Sequence, residues 1–164
     1  MLEIGCGTGL NFRHLLAPLD PQRGSLVGLD FSGDMLSIAK RRVDSQNWPN
    51  VELLQADASN FDISRQFDGI LFAYSLTMIP DWRNALRRAF AHLKPGGRMV
   101  VLDFSRFAGW GPLAPVMRGW LRANHVDTLQ PYLETMREIC GNADVQYWFG
   151  GYNFTALARR NADA

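Results

Sequence analysis

Cysteine is scarce in this sequence: Cys6 and Cys140 are the only two among 164 residues, and they stand far apart. They form no C-x-x-C pair, which argues against a zinc knuckle or a disulfide framework and fits a reducing, cytoplasmic setting. No metal site is expected. Excess charge of either sign is missing as well. With 17 Lys and Arg against 16 Asp and Glu the formal net charge is +1, which excludes a strongly basic nucleic-acid binder as the default. Long apolar runs are also missing. The most continuous, over 69–80, falls short of the ~20 residues that a bilayer-spanning helix needs. The opening Met1-Leu2-Glu3-Ile4-Gly5 has neither the basic nor the apolar region of a secretory signal. Repeats, low-complexity stretches and linkers are absent. What remains is a globular composition, 47% hydrophobic and 20% charged, with a length that suits one domain.

Short apolar runs alternate with amphipathic stretches. Strands are expected at 2–4, 25–29, 51–55, 67–73 and 99–104, and helices at 11–17, from Ser32 to about Val43, and over 81–93. The Ser32 helix should carry Met35, Leu36 and Ala39 on one face, and Lys94-Pro95-Gly96-Gly97 should stop the 81–93 helix. Residues 112–141 read as two helical pieces, the second starting at Pro131. Two final strands, 145–149 and 152–158, flank Gly150-Gly151, which reads as a hairpin connection. Such alternation predicts an α/β fold: a Rossmann-like, doubly wound, mostly parallel seven-stranded sheet with a C-terminal antiparallel hairpin. Ligands bind such sheets beyond the carboxyl ends of the strands.

The first chemical motif is Glu3-Ile4-Gly5-Cys6-Gly7-Thr8-Gly9, placed between a strand and a helix. Glycines there let the backbone turn tightly and approach a ligand closely. The dinucleotide pattern G-x-G-x-x-G fits Gly5 and Gly7, but its third glycine would fall on Leu10. Two acids sit in register with the loop. Asp30 ends the second strand, where a carboxylate can accept two hydrogen bonds from ribose hydroxyls. Asp57, followed by Ala58, comes just after the third.

The spacing E-x-G-x-G-x-G with these acids resembles the class I S-adenosylmethionine-dependent methyltransferases. The resemblance implies that Glu3, Gly5, Cys6, Gly7 and Gly9 surround the methionine part of the cofactor. It implies that Asp30 holds the ribose, that Asp57 receives the adenine amino group, and that Ala58 lends its backbone N–H to the ring. Phe31 and Met35 are candidates to line the ribose and adenine region, and Ala73 and Tyr74 to face the transferred methyl. The Asn/Asp-Pro-Pro-aromatic motif of nucleic-acid amine methyltransferases is absent at 73–82, so no nucleic-acid partner is expected. Taken as a set, Ser75–Trp82, Val101–Phe104, Arg118–Leu121 with His125-Val126, and Gly150–Tyr152 are similar to the lipid-head-group N-methyltransferases of betaine-lipid synthesis. That similarity implies an amine acceptor of the diacylglyceryl-homoserine type. The same-class alternative is O- or C-methylation of a quinone, phenol or small metabolite. Alternatives of other classes are a cofactor-binding module without catalysis and a nicotinamide-dependent dehydrogenase.

Methyl transfer is an in-line displacement that mainly needs positioning. Tyr74, His125 and Tyr152 are the candidates beside the acceptor, with Asp103 a further candidate base. Imidazole is the side-chain type among these best suited to taking a proton near neutral pH, which favours His125. Residues 107–121 mix apolar side chains with Gly and Pro. That stretch is a candidate for peripheral contact with the inner face of a membrane, Arg106, Arg118 and Arg122 lying near phosphates, or else for a cap over the pocket. In this family the first strand begins before the Glu of the loop, and upstream helices cover the cofactor. Met1 lies inside that strand, so the expectation is a domain truncated at its N-terminus, without those cover helices. Its cofactor cleft should be open, with exposed apolar surface beside it.

Overall fold

The structure, a computed structural model, describes residues 1–162. Five parallel strands are β1 (Leu2–Ile4), β2 (Leu26–Asp30), β3 (Val51–Gln55), β4 (Phe67–Ala73) and β5 (Leu93–Phe104). β6 (Asp144–Trp148) and β7 (Asn153–Arg159) complete one seven-stranded sheet in the order β3-β2-β1-β4-β5-β7-β6. β7 runs antiparallel between β5 and β6. The helices are α1 (Phe12–Leu16), α2 (Gly33–Gln46), α3 (Trp82–Ala91), α4 (Ala114–Ala123) and α5 (Tyr132–Cys140). The expected sheet and its hairpin are therefore present.

β1 is wholly buried at the centre of the sheet, as a strand covered on both faces must be. Chain direction across the sheet reverses at β1 and β4, which are hydrogen-bonded neighbours. The loops leaving their carboxyl ends diverge there, and a cleft opens between them. The main core packs Ile70, Phe72, Met99 and Val101 of the sheet against Trp82, Leu86 and Met136 of the helices. Phe12 of α1 and Leu36, Ala39 and Val43 of α2 bury the other side of β2.

Five local expectations are corrected. Met35 does not share the inner face of α2; it is 43% exposed, and Val43 takes the third inner position. α2 runs on to Gln46, where Asn47 ends it in the left-handed conformation. α3 ends at Ala91 rather than 93, because the His92 carbonyl accepts from the Phe67 N–H and pulls Leu93 into the sheet. Lys94–Gly97 therefore lies within β5 rather than before it. The hairpin connection is longer than Gly150-Gly151. Phe149 also takes positive φ, and the turn is pinned by Gly109 N–H donating to the Gly150 carbonyl at 2.8 Å.

Candidate functional site

The glycines of the first loop serve three different ends. Gly5 (φ +72°) faces Ser75: a Cβ there would lie 2.4 Å from the Ser75 Cβ, and Ser75 Oγ donates to the Ile4 carbonyl at 2.7 Å. Gly9 (φ +72°) makes room for the Phe12 ring, which a Cβ would approach to 2.6 Å. Gly7 (φ +53°) has no protein atom within 4 Å of the position a Cβ would take, yet it lines the cleft. Two glycines thus allow the protein to pack, and the middle one leaves space open. Cys6 lies outside the cleft lining. It is buried against Gly28 and Phe12, and burial pushes its thiol up to about 12.

Asp30 ties the loop to β2. Its Oδ2 accepts from Gly7 N–H at 2.7 Å and its Oδ1 from Ser32 N–H at 2.9 Å. Ser32 in turn caps α2 by accepting from Met35 N–H at 3.3 Å. Just past the neighbouring β3, Asp57 Oδ1 accepts from both the Ser59 N–H and hydroxyl at 2.8 Å, which holds the carboxyl below its ordinary pKa. Gly5, Gly7, Asp30, Phe31, Met35, Asp57, Ala58 and Tyr74 all line one cavity of about 630 Å³. Phe31, in that lining, is 76% exposed, so it packs into no core.

Glu3 and Ala73 are not in the lining. Glu3 is 1% exposed beneath the loop, with Oε1 accepting from Asn11 Nδ2 at 2.7 Å and Oε2 without a partner. Burial, with a smaller contribution from Asp30, pushes its carboxyl up to about 7. Ala73 closes β4 and delivers Tyr74.

Tyr74 takes a left-handed backbone (φ +53°), a conformation a bulky residue adopts only when its surroundings enforce it. Its N–H donates to the Leu102 carbonyl at 2.7 Å, its ring packs on Phe104 at 5.0 Å, and its hydroxyl accepts from Asn153 Nδ2 at 2.8 Å. Ser75 and Met78–Pro80 continue the lining of the same cleft, and buried Asp103 organises the segment. Its carboxylate accepts from the Thr77 N–H, from the Thr77 hydroxyl at 2.7 Å and from the Phe104 N–H. Burial raises its pKa. Asp103 is thus a buttress, with no surface facing the cleft.

The three candidates beside the acceptor are not brought together. Tyr152 packs among Phe104, Phe107 and Trp110, behind Phe104 as seen from Tyr74. His125 lines a separate cavity with Arg122, Trp82 and Thr77, on the far side of the Met78–Pro80 segment. The membrane-facing expectation also meets a different arrangement. Leu113, Val116 and Trp120 are exposed and, at 3.6 residues per turn, share one side of α4. Arg118 and Arg122 project from the other side, Arg118 donating to the Arg106 carbonyl at 3.0 Å. The apolar stripe has no basic rim on its own helix. Sequence reasoning missed Asn153 and Ser75. Nothing local marks either, since both act through partners more than 70 residues away.

A glycine loop after β1 and acids after β2 and β3, converging on one cleft, define a site for a nucleoside-bearing cofactor. Residues 1–97 match the family described as methyltransferase domain. The chain belongs to that family, and its fold is that of the class I S-adenosylmethionine-dependent methyltransferases. It is 43% identical over 105 residues to the 2-phytyl-1,4-naphtoquinone methyltransferase of Thermosynechococcus vestitus, covering 63% of this chain and 45% of that protein. It is 30% identical over 173 residues to a ubiquinone/menaquinone biosynthesis C-methyltransferase of Bartonella henselae, covering 98% and 66%. The chain thus spans about half to two thirds of the length of these relatives. In fold it is similar to the Haemonchus contortus phosphoethanolamine N-methyltransferase 2, with TM-score 0.78 at 18% identity over 98% of this chain and 48% of that one. It is also similar to an S-adenosylmethionine-dependent methyltransferase of Clostridium acetobutylicum, with TM-score 0.73 at 18% identity over 98% and 83%.

S-adenosylmethionine is the cofactor of this fold, and the residues present fit it. The open space at Gly7 admits a ligand against the backbone. Asp30 and Asp57, at the ends of the neighbouring strands β2 and β3, both line the cleft as acceptors for hydroxyl and amino donors.

Proposed function

We propose that the chain transfers a methyl group from S-adenosylmethionine to a ring carbon of a quinol-class acceptor. The observation that carries this is the lining of the cleft. Among the described residues, its only charged side chains are Asp30 and Asp57 at the cofactor end, while Tyr74, Met78, Ile79 and Pro80 form the acceptor end. That end suits a flat, uncharged ring. A carboxylate-bearing head group would find no Lys or Arg lining the cleft to receive it. The relatives named above act, by their names, on naphthoquinone and ubiquinone/menaquinone precursors, which favours the quinone alternative over the head-group amine expected from the sequence words.

Bound S-adenosylmethionine supplies an electrophilic methyl. The protein's part is to hold the acceptor in line and exclude water, which accounts for much of the acceleration of such displacements. Tyr74, fixed at its backbone, ring and hydroxyl, sets the acceptor plane. The 75–80 wall, held by Asp103, closes the opposite side. A quinol carbon becomes nucleophilic as its oxygen gives up a proton, and the ring C–H proton leaves after the new C–C bond forms. The oxygen takes a proton back as the ring rearomatises, so one proton is released for each methyl transferred.

The test is a methyl-transfer assay on purified protein with a panel of reduced 2-alkyl-1,4-naphthoquinones, simple phenols and a homoserine-headed diacylglycerol lipid. Methylation of the naphthoquinols at a rate well above the other classes is expected. Turnover of the lipid amine with none on the quinols overturns the proposal.

A further inference from the structure

We infer that Asn153 is a positioning residue that fixes the Tyr74 hydroxyl as a hydrogen-bond donor toward the acceptor's oxygen; this rests on the quinol acceptor proposed above. Asn153 opens β7, pairs with Phe104 across the ladder and is 7% exposed. Its Nδ2 donates to Tyr74 Oη at 2.8 Å, and its Oδ1 is buried without a partner. The opposite amide orientation would leave both N–H donors of the side chain unpaired, where the present one leaves one N–H and the carbonyl oxygen. Orphaned donors are the rarer of the two in folded proteins, so the orientation is assigned by the surroundings. Asp103, the neighbour of Phe104 on β5, is occupied by Thr77 and the Phe104 amide and makes no bond to this pair.

A phenol oxygen that accepts from an amide N–H cannot also give that amide its own proton. The Tyr74 proton is left to point elsewhere, and Tyr74 is 39% exposed and lines the cleft. Directed at an acceptor oxygen, that O–H stabilises the quinolate, the form whose ring carbon is nucleophilic. Asn153 therefore acts through Tyr74. An aspartate in its place reverses the arrangement: a carboxylate accepts the Tyr74 proton and turns the hydroxyl's lone pairs toward the acceptor. A protonated aspartate would again donate, as the amide does.

Two measurements test this on wild type, Asn153→Asp and Tyr74→Phe. In protein labelled at the tyrosine Cζ carbons, with the Tyr74 resonance identified by its loss in Tyr74→Phe, Asn153→Asp should shift Tyr74 and leave Tyr132 and Tyr147 in place. With a naphthoquinol acceptor, Asn153→Asp should lose roughly tenfold in kcat at pH 8, the worth of one hydrogen bond to a charged oxygen. Its rate relative to wild type should recover as pH falls through the carboxyl titration. Adding Asn153→Asp to Tyr74→Phe should cost little more. An unmoved Tyr74 resonance, or a relative rate that stays flat with pH, overturns the role of Asn153. If wild type binds S-adenosylhomocysteine but methylates no quinol, the reaction proposed above fails, and the resonance shift alone decides the hydrogen bond.

Discussion

Alanine substitutions at Gly5 and Gly7 should have opposite characters, and the contrast isolates the cofactor from the fold. Both residues have positive φ, so alanine at either costs about 1–2 kcal/mol of backbone strain. At Gly7 nothing else is lost, because no protein atom lies within 4 Å of the added carbon. At Gly5 the added carbon lies 2.4 Å from Ser75 Cβ, and Ser75 is tied to the Ile4 carbonyl. Relief requires β1 and the 75–80 wall to part, which adds about 1–3 kcal/mol of overpacking. Gly7→Ala should therefore unfold in urea only ~1–2 kcal/mol below wild type while losing more than about tenfold in S-adenosylhomocysteine affinity by calorimetry, since its methyl fills the space that the ligand needs. Gly5→Ala should lose stability first, about 2–5 kcal/mol in all. A Gly7→Ala protein that binds the ligand within about twofold of wild type would refute the assignment of that space to the cofactor, since one intruding methyl costs more than that in a packed site.

Three further outcomes follow from single side chains. Asp30→Ala removes the partner of the Gly7 and Ser32 N–H groups and should weaken S-adenosylhomocysteine roughly tenfold to a hundredfold, the ~1.5–3 kcal/mol of a charge-assisted hydrogen bond; unchanged calorimetric affinity would contradict it. Asp103→Asn places an amide N–H₂ against the Thr77 donors and should lower unfolding stability by about 2 kcal/mol or more, with a wild-type urea midpoint as the contrary result. Glu3 ionises near its ordinary 4.5 when unfolded but only at about 7 in the fold. The folded state holds the extra proton between those values, so its contribution to stability is lost as pH rises through that window, by on the order of 3 kcal/mol. In Glu3→Gln the slope of urea stability between pH 4.5 and 7 should flatten; an unaltered slope would show that Glu3 is already ionised in the fold.

Much of the fold is legible in local pattern. Strands such as Phe67–Ala73 and Val51–Gln55 declare themselves by apolar runs of the right length between turn residues, and the α/β alternation implies the parallel sheet. The cofactor end is legible for the same reason: Gly7, Asp30 and Asp57 each follow a strand, so topology alone carries them to one edge. What each loop glycine does is another matter. Gly5 and Gly9 answer to Ser75 and Phe12, and the first of those contacts depends on how β1 and β4 pair. The acceptor side is less legible still. His125 and Tyr152 have the right chemistry, but helix ends and the hairpin turn them away from the cleft, whereas Asn153 reaches Tyr74 only through the register of β7 on β5. Met35 looks like a core residue by spacing and sits in the cleft lining because α2 rotates Val43 inward instead.

The most direct test of the central claim is to supply S-adenosylmethionine with a 13C-labelled methyl and a reduced 2-alkyl-1,4-naphthoquinone, and to locate the label in the product by NMR. A carbon-bound ring methyl is expected, formed in step with S-adenosylhomocysteine and formed more slowly by Gly7→Ala at the same cofactor concentration. A label found on oxygen or on an amine nitrogen, or cofactor bound with no label transferred, would contradict it.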